Sequence, residues 1–340
     1  MLSATIIVLL ITIILALVFD FINGFHDTAN AIATSVSTRV LSPRNAIIMS
    51  STLNFIGALT GTAVAGTIGK GIIDPHIATS ELIISALLAA IIWDLITWWW
   101  GLPSSSSHAL IGGLIGGAIA GHGFLSLQWQ GIEKIVIALI MSPLLGFIAA
   151  FGIIICLYWM FRKTQPKTVS KTFKVMQIFS AAFMSYSHGH NDAQKSMGII
   201  TMALVSFGFL NTFNVPLWVM IACALAMALG TSAGGWKIIK TMGTKIVKLQ
   251  PIHGFAAEGA ASIVITFASY LGLPVSTTHI ISGAIMGVGA TNNRKTVKWG
   301  VAGDIVIAWL FTIPVTAVIA ALLYFGVSYI ATLRPFLILF

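Results

Sequence analysis

The residues from Gly101 to His108 read GLPSSSSH, and 171 positions further on Gly272 to His279 read GLPVSTTH. Leu102, Pro103, Ser105 and His108 recur as Leu273, Pro274, Ser276 and His279, and Gly112 and Gly116 recur as Gly283 and Gly287. An unusual phrase repeated half a chain apart marks an internal duplication. The fold must therefore accommodate two related halves in one packing. The repeated phrase consists of helix breakers and hydroxyls inside strongly apolar sequence. Irregular polar backbone survives at membrane depth only where it is buried in protein or lines a cavity. The combination predicts a transporter whose binding site lies between the halves.

With 57% hydrophobic and 8% charged residues and a mean hydropathy of +0.98, the chain reads as an all-α integral membrane protein. Short alternating strands, the mark of a β-barrel, are missing from the sequence. The first apolar stretch, Leu2 to Ile22, has no basic leader and no cleavage site, so it is expected to be a retained span. Cys156 and Cys223 both sit in apolar stretches and carry no metal-site spacing. The net charge of +9 comes from cations in short loops, which argues for membrane topology and against nucleic acid as a partner.

About ten apolar segments follow one another, at 2–37, 45–69, 79–100, 103–121, 132–160, 172–206, 215–235, 254–271, 275–290 and 298–328. If all ten cross, the odd-numbered loops hold 14 of the 18 Lys and Arg: Arg39, Arg44, Arg162, Lys163, Lys167, Lys171, Lys174, Lys237, Lys240, Lys245, Lys248, Arg294, Lys295 and Lys298. The positive-inside rule puts those loops in the cytoplasm and both termini outside the cell membrane. Lys70, Lys134 and Arg334 fall on the other side, and Lys195 is left within the membrane. Five segments per half would bring the second copy in from the opposite face. The expected fold is thus two inverted-topology repeats with broken helices, an N-terminal repeat at 1–161 and a C-terminal repeat at 175–340. A basic cytoplasmic linker at 162–174 joins them, with a lipid headgroup contact as a secondary reading. Full spans and re-entrant hairpins both stay open at GLPSSSSH and GLPVSTTH. The small-xxx-small glycines Gly112, Gly113, Gly116 and Gly117 read as close helix packing.

Segments 1 and 6 are too long for a single span, and each carries a polar cluster. One reads Asn23-Gly24-Phe25-His26-Asp27-Thr28-Ala29-Asn30, the other Ser187-His188-Gly189-His190-Asn191-Asp192-Ala193-Gln194-Lys195. Aligned on Gly24 and Gly189, they set Asp27 opposite Asp192 and Asn30 opposite Lys195. Glycine among small polar residues predicts a helix break in each copy that frees backbone groups for a ligand. A carboxylate at such depth is costly unless paired, and matched acids in both copies are functional candidates. Asp20, Asp94, Glu258 and Asp304 lack matched partners and read as packing or secondary ion-path residues.

Taken together, GFHDTAN with GHNDAQK, GLPSSSSH with GLPVSTTH, and the stretch Ala228 to Lys237 resemble the PiT family of inorganic phosphate transporters, especially its bacterial Pit branch. The resemblance covers nearly the whole chain, in order. It implies an inverted-repeat secondary carrier that moves phosphate with a cation gradient, with homodimers common. It also implies that divalent metal can accompany phosphate as a neutral complex.

The residue chemistry is compatible with that substrate. Ser105, Ser106, Ser107, Ser276, Thr277 and Thr278 supply hydroxyls next to Pro103 and Pro274, where new helices offer free N–H groups and a positive dipole end. Asn191, Gln194 and Lys195 add donors. No arginine in the spans can clamp the anion. Asp27, Asn30 and Asp192 are the expected coupling-cation residues, since two anions need something positive between them. Sodium-coupled relatives resemble one another in reading Gly-x-Asn-Asp-x-x-Asn in both halves. Here His26 replaces the first Asn and Lys195 the last, so an ammonium stands one helical turn from Asp192 and H+ is favoured over Na+. His108 and His279 read either as proton relays or as structural histidines. His188 and His190 with Asp192 are a weak metal signal. Sulfate transport and metal-cation transport are the competing readings. Membrane-embedded hydrolysis is disfavoured, because no Gly-x-Ser-x-Gly elbow accompanies the serines. No nucleotide signature and no cofactor motif is present, so an ion gradient must supply the energy.

Overall fold

The structure, a computed structural model, describes residues 2–292 and 296–337. Among them it is helical throughout, with a single isolated bridge, Ile73 to Leu127, in place of a sheet. The first half contains α1 (Leu2–His26), α2 (Thr28–Ser37), α3 (Pro43–Ala58), α4 (Ala63–Gly71), α5 (Ser80–Trp100), α6 (Ser106–His122) and α7 (Trp129–Met160). The second contains α8 (Pro166–Ser206), α9 (Leu217–Ala233), α10 (Trp236–Lys240, prolonged by a π-helical turn), α11 (Pro251–Tyr270), α12 (Thr277–Asn292) and α13 (Trp299–Leu337). Arg294, Lys295 and the Arg334 side chain lie outside the described residues.

The repeated GLP phrases end helices for the same reason. Gly101 (φ 67°) and Gly272 (φ 69°) adopt the left-handed conformation that glycine takes without steric cost, and the prolines follow two residues later. The chain turns there and re-enters a helix, giving two hairpins, α5–α6 and α11–α12. With 17 residues in α6 and 16 in α12, each inner helix is about 25 Å long, short of the roughly 30 Å hydrocarbon core.

The ten expected segments are modified at several points. Segment 45–69 is two helices, α3 and α4, bent by 70°. That break is held by a side chain from far along the chain: Gln194 Oε1 accepts from the free amides of Val64 (2.8 Å) and Ala65 (3.3 Å) at the start of α4. Segment 215–235 stops at Gly234 (φ 72°) and continues as α10 after a 61° bend. The break expected at Asp27 is present. The one expected near Gly189 is not, and α8 runs unbroken for 41 residues, about 60 Å. Gly189 is used for close approach instead: a Cβ there would overlap the backbone of Asn54 on α3. Among the described residues, five helices are long and apolar enough to cross a membrane, or up to seven when each bent pair is one span, fewer than ten.

The halves interlock. The inner helix of each hairpin packs on the last helix of the other half, α6 on α13 and α12 on α7, while α1 packs on α9 and α3 on α8. Glycines make these crossings close. A Cβ at Gly112 or Gly116 would meet the backbone of Ile313 or Ala317, and one at Gly283 or Gly287 would meet Pro143 or Phe147. Gly24 and Gly230 form a similar contact between α1 and α9. The expected packing role of the repeated glycines is met in both copies. Burial is inverted relative to a water-soluble fold: Ile14, Ile140, Leu229, Phe267 and Leu310 are exposed, whereas Asp27, Asp192 and Lys195 are buried. That pattern, with the apolar helices, describes a multi-pass membrane protein.

Candidate functional site

The two hairpin tips meet at the middle of the bundle. The His108 and His279 ring centroids lie 4.3 Å apart with the planes tilted by 39°, and Ser107 Oγ donates to the Val275 carbonyl at 3.3 Å. Each inner helix is capped by the serine of its repeated phrase. Ser105 Oγ accepts from His108 N (3.3 Å) and Ser276 Oγ from His279 N (3.2 Å), so Pro103 and Pro274 do precede helix N-termini bearing hydroxyls. His108 Nδ1 also bonds Ser105 Oγ (2.8 Å), and His279 lies against Trp309 at 4.0 Å between centroids.

Asp27 and Asp192 converge on the second tip. Adjacent hydroxyls of α12 divide between them: Thr277 Oγ1 donates to Asp192 Oδ2 (3.1 Å) and Thr278 Oγ1 to Asp27 Oδ2 (3.2 Å). Asn30 Nδ2 donates to both threonines, at 3.2 and 2.9 Å. Asp27 holds His26 Nδ1 at 2.6 Å, whose Nε2 reaches Thr97 on α5 at 3.1 Å. Asp192 Oδ1 receives Lys195 Nζ at 2.6 Å. Asn191 satisfies all its neighbours when its oxygen accepts from Ser269 (2.7 Å) and its nitrogen donates to Asp192 Oδ1 (3.1 Å) and the Val275 carbonyl (3.3 Å). Ser106 on the first tip pairs loosely with the buried Asp94 carboxylate, short of a standard hydrogen bond. With neutral imidazoles the cluster holds two carboxylates against one ammonium, a net negative charge that suits a cation or proton.

Sequence reasoning placed Gln194 here, but its amide caps α4 as described above, and its Nε2 donates to the His190 carbonyl at 2.6 Å. The His188–His190 pair separates, as residues two apart on a helix must. His190 Nδ1 bonds Thr60 at 2.8 Å, with its ring against Tyr186 and Tyr270. His188 Nε2 faces Asp192 Oδ2 at 3.5 Å, and Asp27, His188 and Asp192 offer ligand atoms within 4.8 Å of one another. Its orientation traces back to a backbone carbonyl. The Thr231 hydroxyl donates to Met227 O (2.9 Å), so its oxygen must accept from Asn54 Nδ2 (2.8 Å). Asn54 Oδ1 then faces His188 Nδ1 (3.0 Å), which must donate, leaving the neutral ring's lone pair on Nε2, toward the acids. The i, i+4 spacing of His188 and Asp192 was the sequence signal for this contact.

Glu258, ranked as packing, is fully buried and accepts from Thr34, Ser180 and Gln177. Asp20 and Asp94 are also fully buried; Ser196 and Cys223 pair loosely with Asp20, and Ser106 with Asp94. Asp304 is exposed on α13.

Interlocked halves, short capped helices and a buried, partly neutralised pair of acids define a membrane carrier of ions. The profile of the phosphate transporter family matches residues 23–320, and the chain belongs to that family. It is similar to the probable low-affinity inorganic phosphate transporter of Rhizobium meliloti (strain 1021), 52% identical over 94% of this chain and 96% of that one. The protein of the same description from Bacillus subtilis (strain 168) is 51% identical over 93% and 96%. A solved structure described as the sodium-dependent phosphate transporter superposes with a TM-score of 0.85 at 27% identity, covering 95% of this chain and 99% of that one. The family and these relatives are transporters, not enzymes.

Proposed function

We propose that this chain imports inorganic phosphate across the cell membrane by proton symport, with both termini outside. The two copies, 1–161 and 175–340, insert in opposite orientation around the linker 162–174, and alternating access proceeds between them, in a homodimer. Ser105, Ser106, Ser107, Ser276, Thr277 and Thr278, with the free amides of α6 and α12, donate to the phosphate oxygens. Asn191 and Lys195 complete the donor set. Asp27, Asn30 and Asp192 hold the coupling cation. The single observation that carries the proton reading is Lys195 Nζ on Asp192 Oδ1 at 2.6 Å, a fixed charge where the first copy has only Asn30. A tethered ammonium never leaves, so a mobile charge must load at Asp27 and its partner His26.

Phosphate uptake into proteoliposomes under separately imposed pH and sodium gradients tests this. Acceleration by an inward proton gradient in sodium-free buffer is expected. Uptake that follows sodium and ignores the pH gradient removes the proposal. Sodium coupling is the second reading, favoured by the likeness of this chain to a solved transporter described as sodium-dependent. Carriage of phosphate with a divalent metal is supported by the Asp27–His188–Asp192 cluster. Competition by excess sulfate tests the choice of oxyanion.

A further inference from the structure

A basic face at the start of α8 plays no part in the carrier site. Lys167, Lys171 and Lys174 stand four and three residues apart, which puts them on one side of the helix, and all three are exposed. With Ser170 they line a hollow of about 420 Å³. It adjoins a cavity of about 600 Å³ between the end of α7, the start of α8 and the start of α11, lined by Tyr158, Phe161, Arg162, Ser170, Gln250 and Ile252 among others. No acidic residue occurs from Lys134 to Asn191 or from Ala193 to Ala257, so the sequence offers these cations no nearby counter-ion.

The positive-inside rule explains why cations lie on this side of the membrane. It does not explain why they edge a cavity whose other wall is aromatic and aliphatic. The Arg162 guanidinium lies 5.3 Å from the Trp159 ring centroid, and an exposed tryptophan marks the depth where headgroups meet acyl chains. Free phosphate has nothing to place against Tyr158, Phe161 and Ile252. A phospholipid has both parts, an anionic phosphodiester for the lysines and chains for the exposed flank of Ile155 and Trp159 on α7.

We propose that this cleft binds the phosphate-bearing headgroup of an anionic phospholipid from the adjoining leaflet. The occupant bridges α7, α8 and α11, and α8 carries Asp192 and Lys195. The site is independent of what the carrier transports.

The test is native mass spectrometry of the full chain exchanged into mixed phosphatidylcholine and phosphatidylglycerol. Wild type is expected to retain phosphatidylglycerol over phosphatidylcholine. The triple variant Lys167→Gln, Lys171→Gln, Lys174→Gln is expected to hold it on the order of 100-fold more weakly, at about one surface-cation contribution per lysine. Lys134→Gln, near the opposite end of α7, should behave as wild type. All four positions are exposed, and an unchanged melting temperature verifies folding. Equal retention by the triple variant, or no preference for the anionic lipid in wild type, overturns the proposal. Displacement of the lipid by inorganic phosphate at the same lysines also overturns it, because the ligand would then be a soluble anion.

Discussion

Asp27 and Asp192 occupy matched places in the two copies, yet the chain holds them differently. Asp27 sits at a helix break (φ −93°, ψ 4°), and its close partner is the preceding residue, His26 at 2.6 Å. Asp192 lies within an unbroken helix, and its partner is Lys195, one turn on, also at 2.6 Å. The first partner is an imidazole ring and the second an ammonium at the end of a flexible chain. The two acids are thus answered by different chemistry. The hydroxyls diverge as well. Thr277 and Thr278 are committed to Asp192 and Asp27, whereas Ser106 pairs only loosely, with Asp94.

The comparison can be broken most severely at Asp192. Asp192→Asn strands a fully buried ammonium, a change worth about 3–5 kcal/mol. Uptake should fall by at least about 100-fold, with a lowered melting temperature, and the double variant Asp192→Asn, Lys195→Asn should regain most of that stability. Asp27→Asn leaves only a histidine that can stay neutral. Its uptake should fall by about 10- to 100-fold while the melting temperature moves less than in Asp192→Asn. Lys195→Asn makes the second copy resemble the first, and the sharpest outcome is acquired sodium dependence, read as uptake with and without sodium at fixed pH. Unchanged sodium indifference would show that Lys195 does not stand in for an ion.

Smaller effects separate the tips and crossings. Ser106→Ala is expected to raise the KM for phosphate about threefold to tenfold with the melting temperature little changed, because only a loose contact with Asp94 is lost. Gly189→Ala drives a methyl into the α3 backbone and should cost about 1–3 kcal/mol in thermal or denaturant unfolding. Gly66→Ala, with open space at its Cβ, should be neutral or stabilising by up to about 1 kcal/mol.

The tips were legible because proline, glycine and capping serines state a helix start locally, and two copies state it twice. The paired acids were legible because charge inside apolar sequence has few uses. What escaped was decided by distant partners. Gly189 looked like a breaker, but the backbone of Asn54, 135 residues earlier, makes it a packing glycine. Gln194 looked like a ligand donor, yet α4 begins where its amide can receive Val64 and Ala65. His188 was discounted because the His-x-His spacing is a weak signal, although it also lies one turn before Asp192.

The arrangement of α6 and α12 has one more consequence. Two peptide dipoles bring their positive poles together in the interior, where little solvent screens them. Alone, such ends push each other apart. Under the proposed transport, an oxyanion lodged there would turn repulsion into attraction, and cargo itself would become the latch that draws the two hairpins shut.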